Sequence, residues 1–133
     1  MKREIKFKGK RIDNGEWVYG NLVTYFNKPA IQDYAQTNGE IFLVDPETVG
    51  QYTGLKDRNG KEIYEGDILK VNKLSFKSSW PLPENLLVKF YGGMFQLYRG
   101  DENLMGLHLM YIEECEVIGN RWDNPNLLEV THE

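Results

Sequence analysis

The stretch VGQYTGLKDRNGKEIYEGDILKV, residues 49–71, decides the fold class. Its Asn59-Gly60 pair lies between two segments that carry aromatic and β-branched residues. Such a pair accepts the positive φ angles at the tip of a tight turn, so this pattern predicts a β-hairpin. Asn14-Gly15 and Gly92-Gly93 lie between similar segments. Three hairpin signals in 133 residues predict a mostly β protein.

Two ligand-binding interpretations of the same stretch fail on residue chemistry. A phosphate-binding P-loop has four residues between its glycines and a hydroxyl after its lysine. Here five residues separate Gly54 from Gly60, and Glu62 replaces the hydroxyl. A calcium loop that began at Asp57 would place Lys61 where an oxygen ligand is needed. We therefore interpret Asp57 as the cap of a turn and Asn59-Gly60 as its tip.

The flanking segments predict further strands and little helix. In IKFKGK, residues 5–10, apolar residues alternate with Lys6, Lys8 and Lys10, which predicts one buried and one solvated face. Asp45-Pro46-Glu47 predicts a helical turn, since Asp caps a helix and proline suits its first position. We expect a short closing turn in residues 123–129 and an extended loop around Pro81 and Pro83. Later strands are predicted at residues 30–34, 40–44, 63–72, 86–91, 94–99 and 114–119.

Composition narrows the function classes. The net charge of −4 argues against sequence-independent nucleic-acid binding as the main role, because such binding requires neutralisation of phosphates. A single cysteine, Cys115, excludes an internal disulfide and a multi-cysteine zinc site and fits the cytoplasm. Its acidic neighbours should raise its pKa and suppress the thiolate. We expect no membrane span, since no apolar run approaches 18 residues.

Other candidate chemistry is weak in the sequence. His108 and His132 are the only histidines, and nothing in the sequence brings them together as metal ligands. The carboxylate pairs Asp45 with Glu47 and Glu65 with Asp67 fit a helix start and a turn better than a hydrolase site. We therefore predict no catalytic residue, no metal and no cofactor.

Charge distribution offers three interpretations. Residues 2–11 carry six bases against one acid, and residues 101–133 carry eight acids against one base. The first interpretation is two solvated faces without a role. The second is head-to-tail contact between copies, in which the two charged regions meet. The third is nucleic-acid binding by the N-terminal hairpin, with lysines on phosphates and bases stacked on aromatic rings such as Trp17 and Tyr19. We prefer the second to the third, because alternation predicts solvated lysines but core positions for Trp17 and Tyr19.

Three segments resemble the YopX family of phage and prophage proteins: KFKGKRIDNGEWVYGNLV, VDPETVGQYTGLKDRNGKEIYEGDIL and EVIGNRWDNPNLL. The similarity extends from Ile5 to Leu128. It implies a small cytoplasmic protein of a temperate phage or an integrated prophage, and it implies homo-oligomers. It supplies no catalytic residue.

The resulting prediction is one YopX-like domain over residues 1–133. We expect a hairpin-rich N-terminal lobe, about 1–58, and an SH3-like barrel lobe, about 59–133, with one or two short helical turns. The function predicted is that of a non-enzymatic phage or prophage accessory protein that acts by protein binding or by homo-oligomeric assembly. The expected partner is the chain itself, with a host or phage protein as a further candidate, and the alternative is a nucleic-acid-binding module that uses the basic N-terminal β-hairpin. The predicted interaction surface consists of Lys6, Lys8, Lys10, Glu113, Glu114 and Glu116.

Overall fold

The computed structural model describes residues 4–73, 82–110 and 112–129. The chain divides into two compact units, residues 1–54 and 55–133. Strands dominate both units, and the helical segments in the described ranges are 3-10 turns of three or four residues. The predicted mostly β class is thus confirmed. The described strands form two antiparallel sheets, one of six strands and one of five.

Short hairpins build the first unit. Its strands are β1 (Phe7–Lys10), β2 (Trp17–Tyr25), β3 (Lys28–Asp33), β4 (Glu40–Leu43) and most of β5 (Gly50–Lys56). They lie in the order β4-β3-β2-β1-β5. The turn before β2 contains Asn14-Gly15, and Gly15 takes the predicted positive φ of 74°. A small core forms where Val18, Ile31 and Val44 pack together. The predicted helical turn is confirmed as a 3-10 turn, Pro46–Thr48, whose first free N–H, that of Glu47, donates to the Asp45 carboxylate.

The second unit contains the larger core. Its strands are β6 (Glu62–Tyr64), β7 (Asp67–Val71), β8 (Glu84–Tyr91), β9 (Met94–Arg99), β10 (Glu102–Gly106) and β11 (Cys115–Asn120). Short 3-10 turns cover Leu107–Leu109, Ile112–Glu114 and Pro125–Leu128, and the last is the predicted closing turn. Leu69, Leu86 and Leu97 are fully buried at the centre of this core. Over the described residues the five-stranded sheet stays open and does not close into a barrel.

Several element boundaries differ from the prediction. The strand predicted at residues 63–72 is two strands, β6 and β7. They are separated by a turn at Gly66, whose φ of 92° does not fit an extended strand. Strand β5 is the first arm of the hairpin predicted around Asn59-Gly60, whereas β10 was not predicted, since it shows no regular alternation. The predicted loop around Pro81 and Pro83 lies partly in residues 74–81, outside the described residues, and Glu84 onward is strand.

Candidate functional site

The three predicted surface lysines lie on the same face as the aromatic residues of β2. In the β1–β2 register, Lys8 is opposite Tyr19 and Lys10 is opposite Trp17. Directly opposed residues in antiparallel strands project from the same side of the sheet. The prediction of a lysine face and a separate aromatic face is therefore wrong. Lys8 is also only 4% exposed, whereas Tyr19 is 43% exposed.

The lysine side chains pack on aromatic rings. The Lys8 ammonium lies 4.7 Å from the Trp17 ring centre, and that of Lys10 lies 6.0 Å from it. The Lys6 ammonium is 5.2 Å from the ring centre of Tyr52 and 3.3 Å from the carboxylate of Glu4. Cation–π contacts and the apolar stems of the lysines stabilise this face. The three lysines therefore contribute to the fold of the first unit.

The predicted acidic residues occupy different local structures. Glu113 is exposed and Glu114 half-buried, and both lie in a 3-10 turn rather than in the predicted strand. Glu116 is half-buried on β11, opposite Lys70 of β7. Its carboxylate accepts a long hydrogen bond of 3.5 Å from the side-chain amide of Asn59. A contact between these acids and lysines of another copy stays a prediction.

Asp57 has the structural role predicted for it. One carboxylate oxygen accepts from the backbone N–H of Asn59 (2.8 Å) and Lys61 (2.9 Å), and the other from Val117 (2.8 Å). Burial would raise the pKa of Asp57, but these three hydrogen bonds and the charge of Lys61 outweigh it and lower the pKa below 3.8. The predicted hairpin is confirmed, and its tip residue Gly60 has a φ of 80°. Through the hydrogen bond from Val117, Asp57 also links this turn to β11.

Cys115 is a core residue. Its side chain is fully buried, and this burial, with the nearby charge of Asp57, raises its pKa to about 11. The predicted suppression of the thiolate is confirmed, although burial rather than the adjacent glutamates is the main cause. Among the described residues no group of three or more histidine, cysteine, aspartate or glutamate side chains could hold a metal ion. His132 lies outside the described residues.

A cleft in the first unit was not predicted. It has a volume of about 200 Å³ and lies between the N-terminal half of β2, the loop after β3, and β4. Three aromatic rings, those of Trp17, Tyr19 and Phe42, contribute to its lining. The other lining residues are Arg11, Glu16, Val18, Asp33, Ala35, Gln36 and Thr37. We refer to this set as the aromatic cleft.

Hydrogen bonds hold the loop wall of the aromatic cleft in place. The buried Asp33 carboxylate accepts from the backbone N–H of Ala35 (2.9 Å) and Gln36 (3.0 Å). The Thr37 hydroxyl donates to the Asp33 carbonyl, which also accepts from the N–H of Gly39 (3.1 Å). These bonds fix the loop before any ligand arrives, which reduces the ordering cost of binding.

Arg11 forms part of the lining and is already paired. Its guanidinium centre lies 4.3 Å from the ring centre of Phe42, and two of its nitrogens donate to Asp13 at 2.9 and 2.7 Å. This ion pair lowers the pKa of Asp13, chiefly through the hydrogen bond. The exposed Glu16 adds a further carboxylate to the cleft lining. The aromatic cleft thus combines apolar ring surface with acidic groups.

The fold defines a class, a small helix-poor protein built from antiparallel hairpins in two units. Comparison with protein families identifies it more closely: residues 6–129 match the YopX protein family, and the chain belongs to that family. The crystal structure of protein EF1440 from Enterococcus faecalis is similar, with a TM-score of 0.58 and 27% identity. The similarity covers 96% of this chain and all of that one. No curated protein matches the chain in sequence.

Within the described residues, no helix has both the length and the apolar character that crossing a membrane requires.

Proposed function

We propose that this YopX-family chain is a non-enzymatic accessory protein of a temperate phage or an integrated prophage. In this proposal it acts in the host cytoplasm by binding protein, including further copies of itself. The best-defined ionisable groups support a binding role rather than catalysis. Asp57 and Asp33 accept backbone hydrogen bonds, and the Cys115 thiol is buried in the core.

Exposed aromatic side chains at two hairpin tips carry the proposal. At the β2–β3 tip Phe26 is 81% exposed, and its ring makes an edge contact with Tyr25 at a centroid distance of 4.4 Å. At the β8–β9 tip Phe90 is 50% and Tyr91 66% exposed. Grouped exposed aromatic residues are costly to hydrate and are enriched in protein interfaces. A protein-binding role accounts for both tips.

Charge provides a second contribution to the proposed assembly. Lys6 and Lys10 remain candidates for contact with Glu113, Glu114 and Glu116 of another copy. Lys8 is removed from this surface because it is buried. Opposite charges in an interface accelerate encounter and select its register more than they raise affinity. We therefore assign orientation to the charges and most of the binding free energy to the aromatic tips.

The test is the mass of the chain in solution, measured by light scattering at low and at high salt. The monomer has a mass of 15.5 kDa, and we expect a defined multiple of it. A multiple that decreases at high salt supports the contribution of the charges, because salt screens exposed pairs. An oligomer mass that is the same at both salts is consistent with assembly through the aromatic tips and contradicts a contribution from the charges. A mass of 15.5 kDa at both salts and at all concentrations contradicts the assembly.

Nucleic-acid binding is a second candidate, favoured by the shared face of lysines and rings on β1 and β2. Stacking of bases on Trp17 and Tyr19 with Lys6 and Lys10 on phosphates would use that face. Single-stranded oligonucleotide affinity should then decrease steeply with salt, and Lys10→Gln should reduce the slope by roughly 0.7 for each lost phosphate contact. Absence of binding at low salt would exclude this candidate.

A further inference from the structure

We propose that the aromatic cleft of one copy binds the β2–β3 hairpin tip of a second copy, with Phe26 as the inserted side chain. The tip comprises residues Tyr25 to Lys28. This inference rests on the proposed assembly and names its contact surfaces. Five observations support it: the backbone strain at Phe26, the exposure of its ring, the volume of the cleft, the charges beside the two surfaces, and the distance between the tip and the cleft of the same chain.

The tip has a conformation that its sequence does not favour. Phe26 has a φ of 51° and Asn27 a φ of 62°, so both central residues of the turn are left-handed, as in a type I′ turn. Asparagine and glycine suit these positions, but a bulky ring at positive φ is strained. With 81% of its surface in water, Phe26 gains little packing in exchange. The ring makes an edge contact with Tyr25 but stays largely in water, and from this combination of strain and exposure we infer a contact outside the chain.

The aromatic cleft matches one aromatic ring in size. Its volume of about 200 Å³ is below the roughly 300–1,000 Å³ of pockets for drug-sized ligands. Cavities of about 150 Å³ hold benzene, so a phenyl ring fits here. The rings of Trp17, Tyr19 and Phe42 offer the edges and faces on which an inserted ring packs.

The charges beside the two surfaces are complementary. Lys28 follows the turn directly and is exposed, and it pairs with Tyr25 across the hairpin. The lining of the aromatic cleft contains the exposed Glu16, and the positive charge of Arg11 is balanced by Asp13. The ammonium groups of Lys8 and Lys10 lie against the Trp17 ring of the same cleft. Insertion of Phe26 would therefore bring a cation toward the Glu16 carboxylate, which favours this partner over an acidic one.

A chain cannot insert its tip into its own cleft. Five registered pairs, from Asn21 with Gln32 to Tyr25 with Lys28, hold the hairpin straight. The seven residue-to-residue steps from Tyr19 to Phe26 span about 23 Å at roughly 3.3 Å each. The occupant that we infer is therefore the tip of another copy. Because tip and cleft are different surfaces, the contact is head-to-tail and yields a ring or an open chain of subunits.

The test compares full-length variants by light scattering and thermal unfolding. Phe26→Asn and Phe26→Gly remove the ring and suit a positive φ. Ala35→Trp adds bulk at an exposed position in the lining of the cleft. Ile12→Ser is the matched control, since Ile12 is 59% exposed in a neighbouring turn of the same unit.

We expect both Phe26 variants and Ala35→Trp to be monomers of 15.5 kDa under conditions in which the wild type and Ile12→Ser are oligomers. In a dilute, monomeric sample Phe26→Asn should unfold a few degrees higher than wild type, because asparagine relieves the strain at positive φ. Wild-type mass in Phe26→Asn overturns the inference and leaves the proposed assembly standing. A monomeric wild type overturns both.

Mixing the variants tests the pairing of the two surfaces. Phe26→Asn retains an intact cleft, and Ala35→Trp retains an intact tip. At high concentration their mixture should form a dimer of about 31 kDa, twice the monomer mass, and nothing larger. A mixture that remains monomeric overturns the inference.

Discussion

Replacement of Asp57 by alanine should destabilise the protein by about 3 kcal/mol or more. The substitution leaves three backbone N–H groups without their acceptor, those of Asn59, Lys61 and Val117. A hydrogen bond to a charged acceptor contributes roughly 1.5–3 kcal/mol, and water can replace part of this contribution at the exposed Asn59 and Lys61. Urea unfolding measures the change, with Asp101→Ala at an exposed turn as the control, for which we expect a change within about 0.5 kcal/mol. Equal stability of Asp57→Ala and the control would contradict this role.

The same carboxylate predicts a pH dependence. The pKa of Asp57 is lower in the folded chain than the ordinary value of 3.8, because three hydrogen bonds outweigh the effect of burial. A lowered folded pKa gives stability that is fully present above the unfolded pKa and is lost as pH falls through the folded one. The stability difference between wild type and Asp57→Ala should therefore be constant near neutral pH and decrease below about pH 4. A difference that is independent of pH down to acid unfolding would contradict this linkage.

Gly66→Ala should cost about 2–4 kcal/mol, from backbone strain and from overpacking. A Cβ at position 66 would lie 2.3 and 2.4 Å from two carbons of the Trp122 ring, at a φ of 92°. The backbone cannot easily move away, because the N–H of Gly66 donates to Val88 and its carbonyl accepts from Arg121. The pattern YEGD thus marks the place where an indole ring covers the chain.

Gly60→Ala is the matched control for this prediction. Gly60 has a similar φ of 80°, but a Cβ there meets nothing within 4 Å. It should cost about 1 kcal/mol, the backbone strain alone. In a Trp122→Ala background Gly66→Ala should also fall to that value, since the steric term is removed. Equal costs for Gly60→Ala and Gly66→Ala in the wild-type background would show that the ring does not restrict position 66.

Local signals predicted the hairpins well. Asn14-Gly15, Asn59-Gly60 and Gly92-Gly93 all lie in turns, because positive φ is a property of a few residue types. The β2–β3 hairpin was missed because its turn is Phe26-Asn27, without a glycine. A strained turn cannot be predicted from preferences that it violates. The mismatch between Phe26 and its left-handed φ is the observation that singles out this turn.

The faces of β1 and β2 could have been assigned from the sequence. A tight hairpin with an even number of loop residues pairs even positions with odd ones. Lys8 and Lys10 must then lie opposite odd positions of β2, which include Trp17 and Tyr19. The prediction from apolar alternation in β1 did not include this cross-strand constraint.

The aromatic cleft and the burial of Lys8 depend on residues far apart in the chain. The cleft combines the start of β2, the loop held by Asp33, and Phe42 of β4. No local sequence pattern indicates that these three segments lie together in the fold. The sequence predicted that Asp57 caps its turn, because that turn is local. It could not predict the hydrogen bond from Val117, which lies 60 positions away in the chain.

Amide hydrogen exchange of the wild-type chain at high and low protein concentration tests the proposed contact most directly. We predict extra protection at the tip, residues 25–28, and at the cleft residues Trp17, Tyr19 and Gln36 when the protein is concentrated, and its loss on dilution. Exchange that is independent of concentration at both surfaces, or protection confined to other surfaces, would contradict head-to-tail contact through Phe26.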